Sequence, residues 1–264
     1  MSGKAKGHSA MTAGGAVRLL RRGVCVGTLV FGGLGLLLVL RLIERPVFGM
    51  ARPITPHLVQ AVCRAALWLL GFSVTVHGKP MAPRGLVVAN HASWLDIFAL
   101  NAAQKVYFVS KSEVAHWAGI GRLARATGTL FITRRAVEAK RQQHEFESRL
   151  RAGHRLLFFP EGTSTDSTFI LPFKPTLFAA LYGPDMGDLY VQPVTLRYTA
   201  PLGQPANFYG WWGDMDFAPH LATTLAAKGQ GAIEVILHPP LRVADFAGRK
   251  ELAAACERVV RGAA

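Results

Sequence analysis

Two side chains in the stretch VVANHASWLDIFAL (Val87–Leu100) can do acid–base chemistry: His91 and, five positions on, Asp96. A histidine can accept a proton from an alcohol in a transition state near neutral pH. It does so best when a carboxylate holds its other ring nitrogen and fixes the tautomer. Asp96 is placed for that role if the chain turns into a helix just after His91. The same spacing also fits a polar turn between a strand and a helix. Taken alone, the pair favours that structural reading.

Two further polar clusters stand where apolar runs stop. GTLFITRR (128–135) ends in Arg134-Arg135, and LLFFPEGTSTDS (156–167) places Glu161, Gly162 and Thr163 after a very apolar run. The planar donor fork of an arginine suits a phosphate or carboxylate. The Pro160-Glu161-Gly162 turn offers a carboxylate, exposed backbone N–H groups and a glycine that permits close approach. Each has an ordinary alternative: a solvated or ion-paired arginine, or a carboxylate at a helix N-terminus. All three at the ends of successive apolar strands change the balance, because ligands of open α/β sheets bind beyond strand ends. Other templates fit badly. GTSTD (162–166) lacks the second glycine of a nucleophile elbow. GFSVTVHGK (71–79) has the wrong spacing for a phosphate-binding loop. His91 and Asp96 without further spaced ligands make a weak metal site.

The elements that must carry these residues follow from patterning. SVTVH (73–77), GLVVAN (85–90), KVYFVS (105–110), GTLFIT (128–133), RLLFFP (155–160), LYVQPVTLRY (189–198) and AIEVILH (232–238) read as strands. Several are apolar on consecutive residues, as strands buried on both faces are. Helical patterns cover Trp94–Ala103, Ala136–Ala152, Lys174–Tyr182 and Lys250–Arg261. Ala136–Ala152 is charged on most faces and is expected outside the sheet. The fold class is α/β, a layered mixed sheet flanked by helices.

Ahead of this domain the chain turns apolar. Gly23–Leu40 runs 18 residues without a charge, between Arg21-Arg22 and Arg41. That is the lower edge for a spanning helix. His57–Phe72 is a second, amphipathic stretch, separated from the first by Pro46, Pro53 and Pro56. Together they read as an N-terminal membrane-embedded helical anchor, either spanning or lying in one leaflet. The expected division is a basic disordered tail over 1–20, anchor helices over 21–72 and a catalytic domain over 73–264. Of the net charge of +14, residues 1–95 carry +10, with Glu44 the one acidic side chain against eleven Lys or Arg. Such a field suits anionic lipid or an acidic carrier protein. Nothing resembles a nucleic-acid-binding motif, so nucleic acid is not expected as a partner. Cys25, Cys63 and Cys256 suggest neither a disulfide framework nor a zinc site, which fits a reducing compartment, and each reads as a buried small residue.

NHASWLDI (90–97), GTLFITR (128–134), FFPEGTS (158–164) and VQPVTL (191–196) resemble, in order and spacing, the four blocks of the 1-acylglycerol-3-phosphate acyltransferase family. The match covers roughly residues 85–200. It implies that His91 deprotonates the acceptor hydroxyl and that Asp96 orients it. The oxygen then attacks an acyl thioester directly, on acyl carrier protein or acyl-coenzyme A as co-substrate. No other cofactor and no metal is implied. Arg134 matches the acceptor-phosphate contact; Glu161, Gly162 and Thr163 match the block that helps bind the acceptor's polar group. Pro193 matches the block thought to shape the donor site. The resemblance further implies a paired-helix anchor in one leaflet, and a bacterial inner membrane with the active site facing the cytoplasm.

The sequence departs from the family pattern after Thr163, and again where Pro175-Thr176 stand in place of a glycine that commonly follows Phe173-Lys174. Thr163 is often followed by an arginine, and here Ser164 follows; Lys174 or Arg135 can compensate, or the acceptor lacks a phosphate. FPEGTST…LPFK with WWGDMDFAPHL (211–221) is similar to a bacterial subgroup that includes lyso-ornithine lipid acyltransferases. Lysophosphatidate and lyso-ornithine lipid both stand as expected acceptors, and WWGDMDF is as readily a structural loop as a substrate contact. The competing reading from another class is a membrane-anchored lipid-binding protein that kept the fold and lost catalysis.

Overall fold

The computed structural model describes residues 12–133, 136–183 and 186–264. The chain opens with two helices, α1 (Ala13–Phe48) and α2 (Thr55–Leu70). Strands β1 (Ser73–His77) and β2 (Gly85–Ala89), helix α3 (Leu95–Ala103) and strand β3 (Tyr107–Lys111) follow. Then come α4 (Ile120–Thr127), β4 (Leu130–Ile132), α5 (Ala139–Arg151) and β5 (Leu156–Phe158). The remainder is β6 (Tyr190–Thr199), α6 (Phe217–Ala226), β7 (Ala232–Leu237), β8 (Leu241–Arg242) and α7 (Arg249–Arg261). The strands form one sheet in the order β1-β7-β6-β2-β5-β3-β4, with β8 alongside β6. β2 pairs parallel with β5 and β6, and β3 parallel with β5 and β4, while β6 pairs antiparallel with β7 and β8. The mixed sheet expected from the patterning is therefore present.

Period-two alternation divides the core. Val87 and Ala89 of β2 join Leu67, Leu70, Leu95 and Leu100 from α2 and α3 on one face. Leu86 and Val88 join Phe146, Leu150, Phe178 and Leu252 on the other. A strand buried on both faces needs apolar residues at every position, which is why GLVVA carries no polar side chain. Pro193 lies in β6 without a ladder donor. It sits where β6 changes partner, from β8 at Tyr190 and Val191 to β7 from Val194 onward.

Four expectations change. The tail expected to be disordered through residue 20 is helical from Ala13, because Thr12 caps the helix with its side chain accepting from Gly15 N–H. Helix α5 covers the sheet rather than standing away from it: Phe146 and Leu150 supply the contact despite the charge around them. Lys174–Tyr182 is a short 3-10 helix confined to Leu177–Tyr182. Backbone N–H groups of Phe173 and Lys174 are tied to Glu257 and Pro160, which holds the chain extended up to there. Cys25 is exposed on α1 rather than buried. Helices α4 and α6 and strand β8 were not expected from periodicity; all are short.

Helix α1 lies along the domain rather than projecting from it. Near its start, Arg22 donates to the carbonyls of Leu225 and Ala227 at the C-terminal end of α6. Midway, Gly33 packs so closely on α2 that a Cβ there would sit 2.8 Å from Val62. Near its end, the buried Glu44 carboxylate accepts the N–H groups of Ile54 and Thr55, capping α2 from outside. The opposite face of α1 is apolar and open to solvent, with Val24, Phe31, Leu38, Val39, Leu42 and Ile43 all exposed.

Candidate active site

Strand β2 ends at Ala89 and α3 starts at Leu95, so the intervening turn must bring His91 back towards the helix. It does. His91 Nδ1 lies 2.6 Å from Asp96 Oδ2, and the Asp96 side chain is fully buried while that of His91 remains 21% exposed. Asp96 sits in the first turn of α3, where the helix dipole favours a carboxylate. Its Oδ2 also accepts the N–H groups of Ala92 and Ser93, at 2.9 and 3.1 Å. A carboxylate with these donors can only accept, so His91 carries its proton on Nδ1 and presents a lone pair at Nε2. Phe159 stacks on the imidazole with ring centroids 3.9 Å apart, fixing the ring plane.

The other oxygen of Asp96 is held by a residue the sequence did not point to. Tyr198 donates its hydroxyl to Oδ1 at 2.5 Å. Burial first, and then the Asp96 charge, push the Tyr198 phenol well above its ordinary pKa, so it stays a donor. The register explains how it arrives. Asn90 pairs with both backbone groups of Leu196, extending the β2–β6 ladder by side-chain bonds. Tyr198 is two residues further along β6 and thus on the same face as Leu196. No local motif marks this tyrosine; only the pairing of β2 with β6 does.

Glu161 supports the same turn from β5. Its Oε1 accepts His91 N–H and its Oε2 accepts Leu171 N–H, both at 2.6 Å, and the residue is fully buried. Burial pushes its carboxyl up to about 6, against the pull of those two N–H donors and of His91. Thr165 closes the ring: its N–H donates to the His91 carbonyl at 2.9 Å. Gly162 has φ +76, a conformation that suits glycine, and the Lys174 ammonium lies over it, 3.0 Å from where a Cβ would stand.

The structure thus gathers His91, Asp96, Glu161, Gly162 and Lys174 at one end of the sheet. Thr163 is exposed in the same turn and, among the described residues, makes no hydrogen bond of its own; Thr165 does that work instead. Arg134 and Arg135 lie outside the described residues; β4, which precedes them, ends at Ile132. Ser164, standing where an arginine is common in the resembling family, donates to the Trp211 carbonyl at 2.5 Å. Trp211 N–H in turn donates to the Ala92 carbonyl at 2.8 Å. Trp211, which opens the WWGDMDF segment, is therefore clamped to both turns as part of their frame. Among the described residues, no three His, Cys, Asp or Glu side chains cluster as metal ligands would.

Comparison with known proteins shows the family. The Acyltransferase family model matches residues 73–197. A lyso-ornithine lipid O-acyltransferase from Rhodobacter capsulatus is 56% identical over 251 residues, covering 95% of this chain and 91% of that protein. A 1-acyl-sn-glycerol-3-phosphate acyltransferase from Neisseria gonorrhoeae is 36% identical over 154 residues, covering 55% and 57%. The crystal structure of the 1-acyl-sn-glycerophosphate acyltransferase from Thermotoga maritima superimposes with a TM-score of 0.67 at 21% identity, covering 94% of this chain and 93% of that one. That last likeness is one of fold.

Proposed function

We propose, starting from the fact that this chain belongs to the acyltransferase family and is an acyltransferase, that it moves a fatty acyl group from a thioester to the free hydroxyl of lyso-ornithine lipid. The observation that carries the acceptor is the 56% identity, over nearly the whole chain, to a protein named for that reaction. Ser164, bound to Trp211 where an arginine often stands, supports an acceptor that makes less demand on a phosphate contact. Lysophosphatidate is the second acceptor, supported by relatives of that type and by the Lys174 ammonium beside Gly162.

The mechanism rests on the free lone pair of His91 Nε2. The acceptor hydroxyl gives its proton to Nε2 as its oxygen attacks the thioester carbonyl. Asp96, held by three further donors, stabilises the imidazolium that forms. The tetrahedral intermediate collapses, the C–S bond breaks, and the imidazolium returns the proton to the departing thiolate. Ester and thiol are the products, with no acyl-enzyme. Glu161 fixes the His91 backbone, so that ring, carboxylate and turn move as one unit. Gly162 and Lys174 line the approach for the acceptor's polar group, with Thr163 and Arg134 as further contacts.

Acceptor and product are amphiphiles, and the apolar, solvent-open face of α1 supports a site held at their depth. Arg22 near the start of α1 bonds to α6, and the Met50 carbonyl just past its end accepts from His154, which suits a helix lying in one leaflet better than one crossing to the far side. The membrane is the bacterial inner membrane, with the site on the cytoplasmic side, where acyl carrier protein and acyl-coenzyme A are found. The test offers purified protein labelled acyl carrier protein and acyl-coenzyme A in turn, with lyso-ornithine lipid and lysophosphatidate in parallel. Label in ornithine lipid is the expected result. Transfer to lysophosphatidate alone overturns the assigned acceptor.

A further inference from the structure

A second concentration of charge lies at the other ends of the same strands. Tyr107 opens β3, Gly128 precedes β4 and His154 precedes β5, whereas His91 and Glu161 follow the ends of β2 and β5. His154 and Glu161 bracket β5, roughly 20 Å apart along the strand. At this far end a cavity of about 320 Å³ is lined by Arg41, Arg45, Arg52 and Arg149, with His154 and the Gly49-Met50 turn.

Its walls are built rather than incidental. Arg149 donates to the Gly128 carbonyl at 2.8 Å and to His154 Nδ1 at 2.5 Å. Because a guanidinium only donates, His154 accepts at Nδ1 and gives its Nε2–H to the Met50 carbonyl at 2.9 Å. Burial and the Arg149 charge push His154 down to about 4, so it is neutral and the charge is that of the arginines. Arg52 and Arg149 both lie over the Tyr107 ring, 5.6 and 4.8 Å from its centroid. Opposing carboxylates are few. Glu44 pairs with Arg41 but spends its remaining capacity on Ile54 and Thr55, and the exposed Glu145 attracts Arg149. Arg45 is exposed, and its guanidinium makes no hydrogen bond or ion pair among the described residues. Four guanidiniums facing two carboxylates around a cavity leave donors for an outside anion, and planar forks suit phosphate.

The depth of the cavity identifies that anion. Arg41 and Arg45 directly follow the uncharged run Gly23–Leu40, and the apolar face of α1 beside them exposes Leu38, Val39, Leu42 and Ile43. We infer that this cavity binds the phosphate of an anionic membrane-lipid headgroup, distinct from the acceptor, and so pins the end of α1 at headgroup level. The inference rests on the membrane reading of α1.

The test measures binding of the full chain to vesicles of phosphatidylcholine alone and of phosphatidylcholine with phosphatidylglycerol. Three proteins are compared: the wild type, the double variant Arg45→Gln/Arg52→Gln, and the charge-matched control Arg249→Gln/Lys250→Gln on the exposed start of α7. The cavity variant is expected to lose about fivefold in affinity for the anionic vesicles per arginine removed. It keeps its binding to phosphatidylcholine, and the control keeps most of its preference for anionic vesicles. Equal losses in the two double variants overturn the site in favour of a diffuse field. Inorganic phosphate raising the melting temperature of the wild type but not of the cavity variant, with no difference on vesicles, marks a free-phosphate site and overturns the lipid. Wild-type binding to anionic but not to phosphatidylcholine vesicles removes the membrane reading of α1; loss of that binding in the cavity variant alone then still supports the cavity. No wild-type binding to either vesicle overturns both.

Discussion

The two ends of the parallel strands treat charge in opposite ways. At the C-terminal end, two buried carboxylates are saturated: Asp96 accepts from His91, Ala92, Ser93 and Tyr198, and Glu161 from His91 and Leu171. The His91 imidazole stays partly open, its side chain 21% exposed. At the N-terminal end, guanidiniums outnumber carboxylates and line an open cavity. A saturated network holds one side chain still, which is what a base needs. A surplus of donors recruits a ligand from outside. The two ends differ because the loops there come from different parts of the chain.

Breaking the saturated end should cost most at the carboxylate that touches His91. In Asp96→Asn the amide oxygen can keep the His91, Ala92 and Ser93 donors, while its NH₂ faces a Tyr198 hydroxyl free to rotate and accept. Turnover is therefore expected to fall about a hundredfold or more, from loss of the charge opposite the imidazolium, with only a small change in melting temperature. A collapsed melting temperature with proportionate loss of activity would make Asp96 a structural residue. Glu161→Gln is the next largest. It sets an amide NH₂ against a backbone N–H, of either His91 or Leu171, and should cost about 1–3 kcal/mol of stability and about tenfold in turnover. Thermal and chemical unfolding, read beside rate, check both numbers.

The Glu161 titration sharpens the same comparison. Its folded-state pKa, about 6, lies above the ordinary 4.5. Between those values the folded chain binds the proton more readily than the unfolded one. This term therefore favours folding below pH 4.5 and is lost as pH rises through 6, by about 2 kcal/mol in total. Activity should move the other way, since a protonated carboxyl no longer accepts from both backbone donors. The difference between the stability–pH curves of wild type and Glu161→Gln should show that slope; superimposable curves would refute it. Tyr198→Phe is the smallest change. It leaves Asp96 Oδ1 without a donor, at an expected cost of about 1 kcal/mol and less than tenfold in turnover. In an Asp96→Asn background the same substitution strands an NH₂ group, so the two effects should not add.

Legibility from sequence followed the range of the interaction. Asp96 lies one helical turn beyond His91, and the strands were apolar enough to be read directly, as were Glu161 and Gly162 at the end of β5. Tyr198 was not legible, because its contact with Asp96 spans 102 positions and exists only once β2 pairs with β6. The part played by Ser164 and Trp211 was half legible: the departure at Ser164 was visible, its bond to the Trp211 carbonyl was not. Helix α5 was misplaced because charge around a helix says little when two residues, Phe146 and Leu150, carry its packing. The far-end cavity was invisible, since its arginines come from α1, the Gly49–Arg52 turn and α5, far apart in the chain.

The central claim is that His91 Nε2 takes the acceptor's proton in a frame that does not depend on the imidazole for its fold. Single-turnover transfer of labelled acyl groups to lyso-ornithine lipid, by wild type and His91→Ala, measures it most directly. The expected result is a loss of about a thousandfold or more in rate, with unchanged melting temperature and unchanged recovery on vesicles. A His91→Ala protein that transfers within tenfold of the wild-type rate would contradict it.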